Sequence, residues 1–280
     1  MLVNGKELLK KAKINKEAIF QFNINNFEWT KWILEKCNEL NKPVILGVSE
    51  KSVNYMGGCN TVVSVVNNLI NDLNINIDVS LHLDHGKTVE SCKKAIDAGF
   101  TSVMIDLSTK EFYDNIIETK EVVEYAKNKD VLVEAELGAM GILQNKQLNI
   151  GNKTNILDCI KFVKETKIDL LAPSVGTVHG IYKGKLDIDY KLIKEISKNV
   201  DIPLVLHGGS GLSNDILKKC IDSGITKINI NSDLQYVWSM GIRNYLKDNT
   251  DIIDPRKIIS SGEKLLKDEI EHKMMINNKI

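Results

Sequence analysis

The chain lacks several features that mark specialised classes of protein. It has no long apolar segment and no cleavage signal at its start, so we expect a cytoplasmic protein with neither secretion nor a membrane span. Lysine plus arginine equals aspartate plus glutamate, 37 each, so no global field attracts nucleic acid or an anionic membrane. Any phosphate binding must therefore be local.

Paired cysteines are also missing. The five cysteines are odd in number and show no C-x-x-C spacing, which indicates reduced thiols that mostly fill the core. No proline- or serine-rich linker, low-complexity tract or block of like charge divides the 280 residues. A hydrophobic content of 43% and a charged content of 26% describe a soluble globular chain, either one large α/β barrel or two ordinary domains.

What is present is a regular alternation of short apolar runs and amphipathic helical runs, from residue 17 to residue 248. The predicted strands are 18–22, 43–48, 79–83, 102–106, 131–137, 170–173, 203–207 and 227–229. Eight strand–helix repeats in roughly 230 residues match a (β/α)₈ TIM barrel, which takes about 250 residues. We therefore predict one α/β domain, with the barrel at about 15–248 and a C-terminal helical extension at about 249–280. A doubly wound sheet is the alternative.

Three histidines occupy the ends of predicted strands, where the active site of such a barrel lies. Asp84 and His85 end the third strand, His179 follows the sixth, and His207 ends the seventh. Three neutral imidazoles around one ion, with a fourth position open, is the catalytic zinc arrangement. Core histidines are the alternative, and we assign His82 to the core by the alternation of side chains along a strand. His272, in the tail helix, is expected at the surface.

Two neighbouring segments are suited to binding an anion. Gly208-Gly209-Ser210-Gly211 precedes a helix, and Asn229-Ile230-Asn231-Ser232 precedes the next, with Ser232 as the expected N-cap. Glycines allow close approach of the backbone, and helix N-termini attract negative charge. The loops after the seventh and eighth strands are the usual phosphate site of this fold. Lys183 could add a point charge.

These segments together resemble the class II, zinc-dependent ketose-bisphosphate aldolases, and most closely the short branch with the fructose-1,6-bisphosphate and tagatose-1,6-bisphosphate enzymes. The resemblance spans essentially the whole chain in order. It rests on these segments: Phe22-Asn23-Ile24-Asn25-Asn26, His82-Leu83-Asp84-His85-Gly86, Ser102-Val103-Met104-Ile105-Asp106, Glu134-Ala135-Glu136-Leu137-Gly138, Gly176-Thr177-Val178-His179-Gly180, His207-Gly208-Gly209-Ser210-Gly211, Lys227-Ile228-Asn229-Ile230 and Asp254-Pro255-Arg256-Lys257.

The resemblance implies a role for each matching residue. His85, His179 and His207 would hold the catalytic Zn²⁺, with Asp106 and Glu136 at a second metal position. Asp84 would be the acid/base at the hydroxyl beside the bond that breaks, and Arg256 would reach the distal phosphate, often from a partner subunit. A Na⁺ or K⁺ ion beside the phosphate and a homodimer or homotetramer are also implied. The dihydroxyacetone-phosphate site would comprise Asn23, Ser49, Gly180, Lys183, Gly208, Gly209, Ser210, Asn229, Asn231 and Ser232.

The loop after Glu136 departs from the pattern. The family that this sequence resembles carries an acidic pair there, and one glutamate of that pair exchanges the C1 proton of dihydroxyacetone phosphate. Here no Asp or Glu occurs between Leu137 and Asp158. Either another group transfers that proton, or the enzyme is slow, altered in substrate or no longer an aldolase.

The main hypothesis is thus an aldolase that cleaves a ketose 1,6-bisphosphate. Fructose 1,6-bisphosphate is the first candidate substrate, and tagatose 1,6-bisphosphate is the second. A phosphorylated product of inositol breakdown or a sulfosugar is an alternative substrate, and a non-catalytic paralogue that binds sugar phosphate is an alternative function. A Schiff-base aldolase is disfavoured because residues 169–173 offer no lysine. A hydrolase barrel is disfavoured because residues 18–22 lack paired histidines.

Overall fold

Eight parallel strands close into a barrel in the computed structural model, which describes residues 2–139, 141–144, 147–149, 151–180 and 186–277. Strand β1 pairs with both β2 and β11, so the sheet has no free edge, and the doubly wound alternative is excluded. The barrel strands, in their order around the barrel, are β1 (Ile19–Asn23), β11 (Ile225–Ile230), β10 (Leu204–Leu206), β8 (Leu170–Pro173), β5 (Leu132–Leu137), β4 (Ser102–Ile105), β3 (Val79–Gly86) and β2 (Val44–Ser49).

Helices form the outer layer of the barrel. They bury apolar residues against the strands, and the resulting core runs around the whole barrel, as the near-continuous apolar character of the strands requires. The helices are α1 (Lys6–Asn15), α2 (Phe27–Glu39), α3 (Glu50–Tyr55), α4 (Cys59–Asp72), α5 (Val89–Ala98), α6 (Phe112–Lys127), α7 (Ile156–Thr166), α8 (Tyr190–Asn199), α9 (Asn214–Ser223), α10 (Ser232–Asp248), α11 (Pro255–Ser260) and α12 (Glu263–Met274). A short 3₁₀ helix, Met275–Asn277, follows.

A second, smaller cluster of apolar side chains fills the N-terminal end of the barrel interior. Leu9 of α1 packs there with Leu132, Leu170 and Val205. This plug leaves the opposite, C-terminal end of the barrel as the end that is open to ligands.

In the described part of the chain, three short strands lie outside the barrel, and they were not predicted. They are β6 (Gly141–Gln144), β7 (Gln147–Asn149) and β9 (Val178–His179). The hairpin of β6 and β7 pairs through β6 with β9, so that Ile142 lies opposite His179. The loop after β5 is thereby joined to the loop after β8.

The predicted barrel and tail are confirmed by the structure, with differences at the ends of elements. All eight predicted strands exist, but α1, α3 and α11 were not predicted. The predicted cap at Ser232 is wrong, because Ser232 is the first residue of α10 and Asn231 is the cap position. The tail packs back on the barrel: Lys267 of α12 contacts Glu35 of α2 at 2.7 Å. The division into a single domain stays a prediction.

Among the described residues, none of the helices combines the length and the apolar character that crossing a lipid bilayer requires.

Candidate active site

Four side chains converge at the C-terminal end of the barrel. One ligand atom from each of His85, Glu136, His179 and His207 lies within 4.8 Å of the others. We call these four residues the metal cluster. The imidazole centroids are 5.0 Å apart for His85 and His179, and 4.7 Å apart for His85 and His207. The structure therefore brings together the three histidines that the sequence singled out.

A local irregularity lets two consecutive residues of β3 face the same site. In a regular strand Asp84 and His85 would point to opposite faces. The register of β3 against β4 shifts between Leu83 and Gly86, and His85 has a left-handed φ of 56°. Such a conformation is uncommon outside glycine and is typical of functional sites. The shift turns the His85 imidazole toward the site beside Asp84.

Asp106 lies behind His85 and fixes its ring. Its Oδ2 is 2.7 Å from His85 Nδ1 and 2.5 Å from Lys87 Nζ, and its Oδ1 accepts hydrogen bonds from the backbone and side chain of Ser108. This leaves His85 Nε2 toward the other histidines. Burial opposes the protonated imidazole, but the Asp84 carboxylate and the Asp106 hydrogen bond raise the pKa of His85 to about 9.

His207 is held in the same way by a different carboxylate. Its Nε2 is 2.8 Å from Glu134 Oε1, and its Nδ1 is 3.1 Å from His85 Nε2. Two nitrogens on one tetrahedral zinc ion, at Zn–N distances of 2.0–2.1 Å, lie about 3.3 Å apart. Carboxylate partners on the far nitrogens are the usual support of metal-binding histidines. The two imidazoles thus have the separation and the support that a shared ion requires.

Glu136 contributes an unpaired buried oxygen. Its side chain is 3% exposed, and Oε2 has no hydrogen-bond partner among the described residues. Burial, and next the neighbouring Asp106 carboxylate, raise the pKa of Glu136. The pKa of His179 is lowered to about 3 by burial and by the other two imidazoles. A neutral histidine and an unsatisfied carboxylate are donors that a divalent cation would satisfy.

Asp84 lies beside the metal cluster. Asn23 Nδ2 donates to its Oδ2 at 2.7 Å, and Asn229 Nδ2 donates to its Oδ1 at 3.3 Å. Burial by itself would raise the pKa of Asp84, but the electrostatic interaction with the neighbouring His85 ring, and next with the His207 ring, holds that pKa well below its usual range. Asp84 is therefore an ionised carboxylate that can accept a proton.

Next to Asp84, the backbone after β10 forms a close-packed turn, Gly208–Gly211, which we call the phosphate loop. A Cβ on Gly208 would lie 2.4 Å from the carbonyl oxygen of Val178, and one on Gly209 would lie 2.9 Å from that of Asn229. Only glycine fits these positions. The Ser210 hydroxyl accepts hydrogen bonds from the backbone N–H groups of Asn231 and Asp233, so the turn is fixed at the start of α10.

A cavity of about 220 Å³ connects the metal cluster with the phosphate loop. Asn229 and Asn231 line it, and each has a buried side-chain oxygen without a partner among the described residues. We call it the inner cavity. Its lining residues are Asn23, Ser49, Asp84, His85, His179, Gly180, His207, Gly208, Ser210, Asn229, Asn231 and Ser232.

A larger cavity of about 490 Å³ opens on the other side of the cluster. It shares Ser49, His85 and His179 with the inner cavity, and we call it the outer cavity. Its remaining lining residues are Glu50, Lys51, Lys87, Asp106, Ser108, Thr109, Glu136 and Ala139.

Among the described residues, one predicted site residue, Arg256, lies away from both cavities. Arg256 lines neither of them: its side chain is 88% exposed and forms an ion pair with Asp254 at 2.9 Å. Lys183 lies outside the described residues. Gly209 is part of the phosphate loop, and its backbone passes against Asn229.

The structure also shows functional candidates to which sequence reasoning gave no role. Beneath the metal cluster, the barrel interior holds four buried polar residues that contact one another: His82, Ser102, Glu134 and Lys227. We call them the inner polar layer. The available signal was a charged residue within an otherwise apolar strand, as at Glu134 in β5 and Lys227 in β11. His82 is buried, as expected of a core histidine, and His272 is exposed.

Comparison with known proteins identifies the family. Residues 3–279 match the family described as class-II fructose-bisphosphate aldolase, and the chain belongs to it. The sequence is 46% identical over 272 residues to a 6-phospho-5-dehydro-2-deoxy-D-gluconate aldolase of Bacillus licheniformis, covering 97% of this chain and 93% of that protein. It is 45% identical over 274 residues to a fructose-bisphosphate aldolase of Staphylococcus aureus, covering 98% and 96%.

Solved structures agree with the fold. The YdjI aldolase of Escherichia coli K12 superposes with a TM-score of 0.86 at 27% identity, over 99% of this chain and 98% of that one. The resemblance noted from the sequence is thus confirmed, and so is the prediction of an aldolase, a carbon–carbon lyase.

Proposed function

We propose that this chain is a zinc-dependent aldolase that cleaves fructose 1,6-bisphosphate to dihydroxyacetone phosphate and glyceraldehyde 3-phosphate. One observation carries the proposal: an ionised carboxylate, Asp84, lies between a four-residue metal cluster and a glycine-lined anion site. The family and the Staphylococcus aureus relative support it.

The inner cavity suits the dihydroxyacetone-phosphate half of the substrate. The phosphate loop and the N-terminus of α10 offer backbone N–H groups and a helix dipole to a phosphate. The unpaired oxygens of Asn229 and Asn231 can accept hydrogen bonds from sugar hydroxyls. A substrate anchored at its phosphate would present its reacting carbons to Asp84 in one pose.

Asp84 is placed for the proton transfer. In the cleavage direction its carboxylate takes the proton of the C4 hydroxyl, the C3–C4 bond breaks, and the electron pair passes to the ketose half. Asn23 and Asn229 hold both carboxylate oxygens, which keeps Asp84 in position during the transfer. Bound Zn²⁺, held by His85, His179 and His207, would polarise the ketose carbonyl as a Lewis acid.

The outer cavity suits the distal end of the substrate. It adjoins the cluster on the side away from the phosphate loop, and Lys51 and Lys87 line it. Lys87 already neutralises Asp106, which leaves Lys51 as the cation to which no ion pair is assigned among the described residues. The exposed Arg256 would reach a distal phosphate from the partner subunit of a homodimer or homotetramer.

A specific observation favours a second substrate. The Bacillus licheniformis relative is named for 6-phospho-5-dehydro-2-deoxy-D-gluconate. Retro-aldol cleavage of that compound between C3 and C4 also releases dihydroxyacetone phosphate, but the other product is a three-carbon aldehyde with a carboxylate. The inner cavity would serve both substrates equally, so the choice depends on the outer cavity. Tagatose 1,6-bisphosphate, which differs from the fructose compound at one hydroxyl, is the third candidate.

A coupled assay of dihydroxyacetone phosphate release tests the proposal. Zinc-loaded protein is offered fructose 1,6-bisphosphate, tagatose 1,6-bisphosphate and 6-phospho-5-dehydro-2-deoxy-D-gluconate in parallel, and the kcat/KM values are compared. We expect the highest value for fructose 1,6-bisphosphate, loss of turnover with a chelator, and its return with Zn²⁺. A higher value for the deoxygluconate would assign the second substrate, and chelator-resistant turnover would overturn the zinc mechanism.

Two finer expectations from the resemblance stay predictions. One is a second metal position that includes Asp106 and Glu136, and the other is a Na⁺ or K⁺ ion beside the phosphate. Metal analysis of the loaded protein, with and without monovalent cations, addresses both.

A further inference from the structure

The carboxylate that supports His207 is itself held by a buried lysine. Glu134 Oε1 is 2.8 Å from His207 Nε2, and its other oxygen, Oε2, is 2.6 Å from Lys227 Nζ. Glu134 and Lys227 are completely inaccessible to solvent, on strands β5 and β11. A fully buried ion pair is costly to desolvate and often adds little to stability. Its presence directly behind a metal-cluster histidine therefore requires an explanation.

The other contacts of Lys227 determine how protons are arranged in the inner polar layer. Lys227 Nζ lies 3.5 Å from His82 Nε2, and His82 Nδ1 lies 2.8 Å from the Ser102 hydroxyl. Burial, and next the positive charge of Lys227, lower the pKa of His82 to about 3, so His82 is neutral. Its Nε2 accepts from Lys227, and its Nδ1–H therefore donates to Ser102. Lys227 Nζ thus lies between two acceptors, Glu134 Oε2 and His82 Nε2.

This arrangement fixes the proton on His207. The Lys227 ammonium lies 2.6 Å from Glu134 Oε2, and this buried ion pair favours the ionised form of the Glu134 carboxylate. An ionised carboxylate only accepts hydrogen bonds. His207 must then carry its proton on Nε2 and present an unprotonated Nδ1 toward His85, 3.1 Å away. The partner of a ring nitrogen selects the tautomer in this way at many metal sites.

We propose that Lys227 and Glu134 are positioning residues for metal binding: together they set the tautomer and orientation of His207. Neither residue touches substrate. The inference rests on the proposed metal centre and goes further, because it assigns roles to two buried residues that line neither cavity. The competing explanation is that the pair only ties β5 to β11 and that metal binding is indifferent to it.

Three variants separate the two explanations. Lys227→Met removes the cation and leaves an unpaired buried carboxylate, which could prevent folding. Glu134→Gln with Lys227→Met removes both charges of this ion pair, so the double variant leaves neither Glu134 nor Lys227 as an unpaired buried charge. A glutamine can either donate or accept, and it no longer imposes the tautomer. Lys36→Met is the matched control, because Lys36 is also a buried lysine, paired with Glu39 at 3.0 Å and Glu271 at 3.1 Å on the outer helices.

The readouts are the Zn²⁺ dissociation constant, from competition with a chromophoric chelator, the melting temperature of the metal-free protein, and the ¹⁵N NMR shifts of His207 at pH 8. Wild type that binds no Zn²⁺ would refute the proposed metal centre itself. With wild type binding, we expect the double variant to melt near the wild-type temperature, to bind Zn²⁺ about 10–100-fold more weakly, and to show mixed His207 tautomers.

Lys36→Met should bind Zn²⁺ as wild type does. The inference is overturned if the double variant binds Zn²⁺ with wild-type affinity and keeps the Nε2–H tautomer. It is equally overturned if Lys36→Met weakens binding as much as the double variant, because the effect would then follow from lost stability alone.

Discussion

The metal cluster and the inner polar layer are neighbours in the barrel, yet they differ in whether their buried polar atoms have hydrogen-bond partners. In the inner polar layer, Glu134 and Lys227 are each other's partners at 2.6 Å. At the metal cluster, Glu136 Oε2 is buried without a hydrogen-bond partner among the described residues, and the backbone of His85 has a left-handed conformation. Buried polar atoms are normally satisfied, and exceptions require an explanation. The inner polar layer uses its hydrogen bonds to hold its own side chains in place. The rim, by which we mean the metal cluster together with Asp84, keeps ligand atoms available for a metal ion or substrate.

This difference explains why the site sits where it does. The apolar plug around Leu9 closes one end of the barrel, the inner polar layer provides a rigid floor, and the unsatisfied groups lie at the open end. Donors held rigidly by neighbours cost little reorganisation when the ligand binds. The predictions that follow test whether the residues of the rim carry out the reaction, while the carboxylates behind its histidines determine the affinity for the metal ion.

The largest effect is expected from Asp84→Asn. The amide keeps the size of the side chain but cannot accept the C4 hydroxyl proton, so kcat should fall by about 10³, within the range for general acid–base groups. The bound metal should remain, because Asp84 is not in the metal cluster. Turnover is measured by dihydroxyacetone phosphate release and metal by elemental analysis. A variant with more than a tenth of wild-type activity would show that another group takes the proton.

The sequence predicted the rim better than the layer beneath it. Asp84 and three histidines stand at strand ends, where position alone indicates function, and the structure brings all four to the inner cavity: Asp84, His85, His179 and His207. The presentation of Asp84 and His85 side by side depends on a register shift that alternation rules cannot anticipate.

The inner polar layer was missed for a related reason. Glu134 and Lys227 lie 93 residues apart in the chain, and their pairing depends on which strands become neighbours of the same interior space. Likewise, the three-stranded sheet that joins the loops after β5 and β8 forms between segments with weak strand patterns. A sequence pattern predicts which face of a strand a residue lies on. The contacts between residues that are far apart in the chain are determined by how the barrel closes.

A smaller effect should follow from Asp106→Asn. An amide oxygen can still accept the His85 Nδ1–H, but the negative charge that strengthens the imidazole as a ligand is lost. We expect Zn²⁺ to bind about 10–100-fold more weakly, with kcat near wild type at saturating Zn²⁺.

The matched control for that change is Asp97→Asn. Asp97 is an exposed carboxylate on α5 that accepts a hydrogen bond from Tyr125 at 2.8 Å, far from the metal cluster in the fold. A fall in bound metal from two ions to one in Asp106→Asn would mean that Asp106 is itself a ligand, at the second metal position that the resemblance implies.

Lowering the pH should weaken metal binding by about tenfold per unit between pH 8 and pH 7. In the metal-free protein the pKa of His85 is raised to about 9, so His85 is protonated below that pH and must lose a proton when Zn²⁺ binds. His179, with its pKa lowered to about 3, is already neutral there. Chelator competition at several pH values measures the slope. A Zn²⁺ affinity that does not change with pH would mean that His85 is not a ligand. The control variant is His272→Asn, which removes an exposed histidine.

The smallest effect concerns the loop without carboxylates. The hairpin of β6 and β7 is attached to β9 beside His179, so its backbone lies next to the metal cluster. In the sequence of this loop, Gln144 and Asn145 are consecutive amide residues, the uncharged counterparts of the acidic pair that the resemblance leads one to expect. We expect Gln144→Glu to raise the exchange of the C1 proton of dihydroxyacetone phosphate with solvent deuterium by roughly tenfold, because a carboxylate can act as a base.

The control for that variant is Asn152→Asp, which adds a negative charge to the same connection but outside the hairpin, at an exposed position. Exchange is followed by proton NMR without aldehyde, and cleavage is assayed separately. If the wild type already exchanges the proton as fast as it cleaves substrate, the loop needs no carboxylate, because a group at the rim moves this proton as well. If Asn152→Asp accelerates exchange as much as Gln144→Glu, general charge rather than a positioned base is responsible. An increase confined to Gln144→Glu would show that the rim supplies the metal site and Asp84, while the second proton transfer depends on the loop.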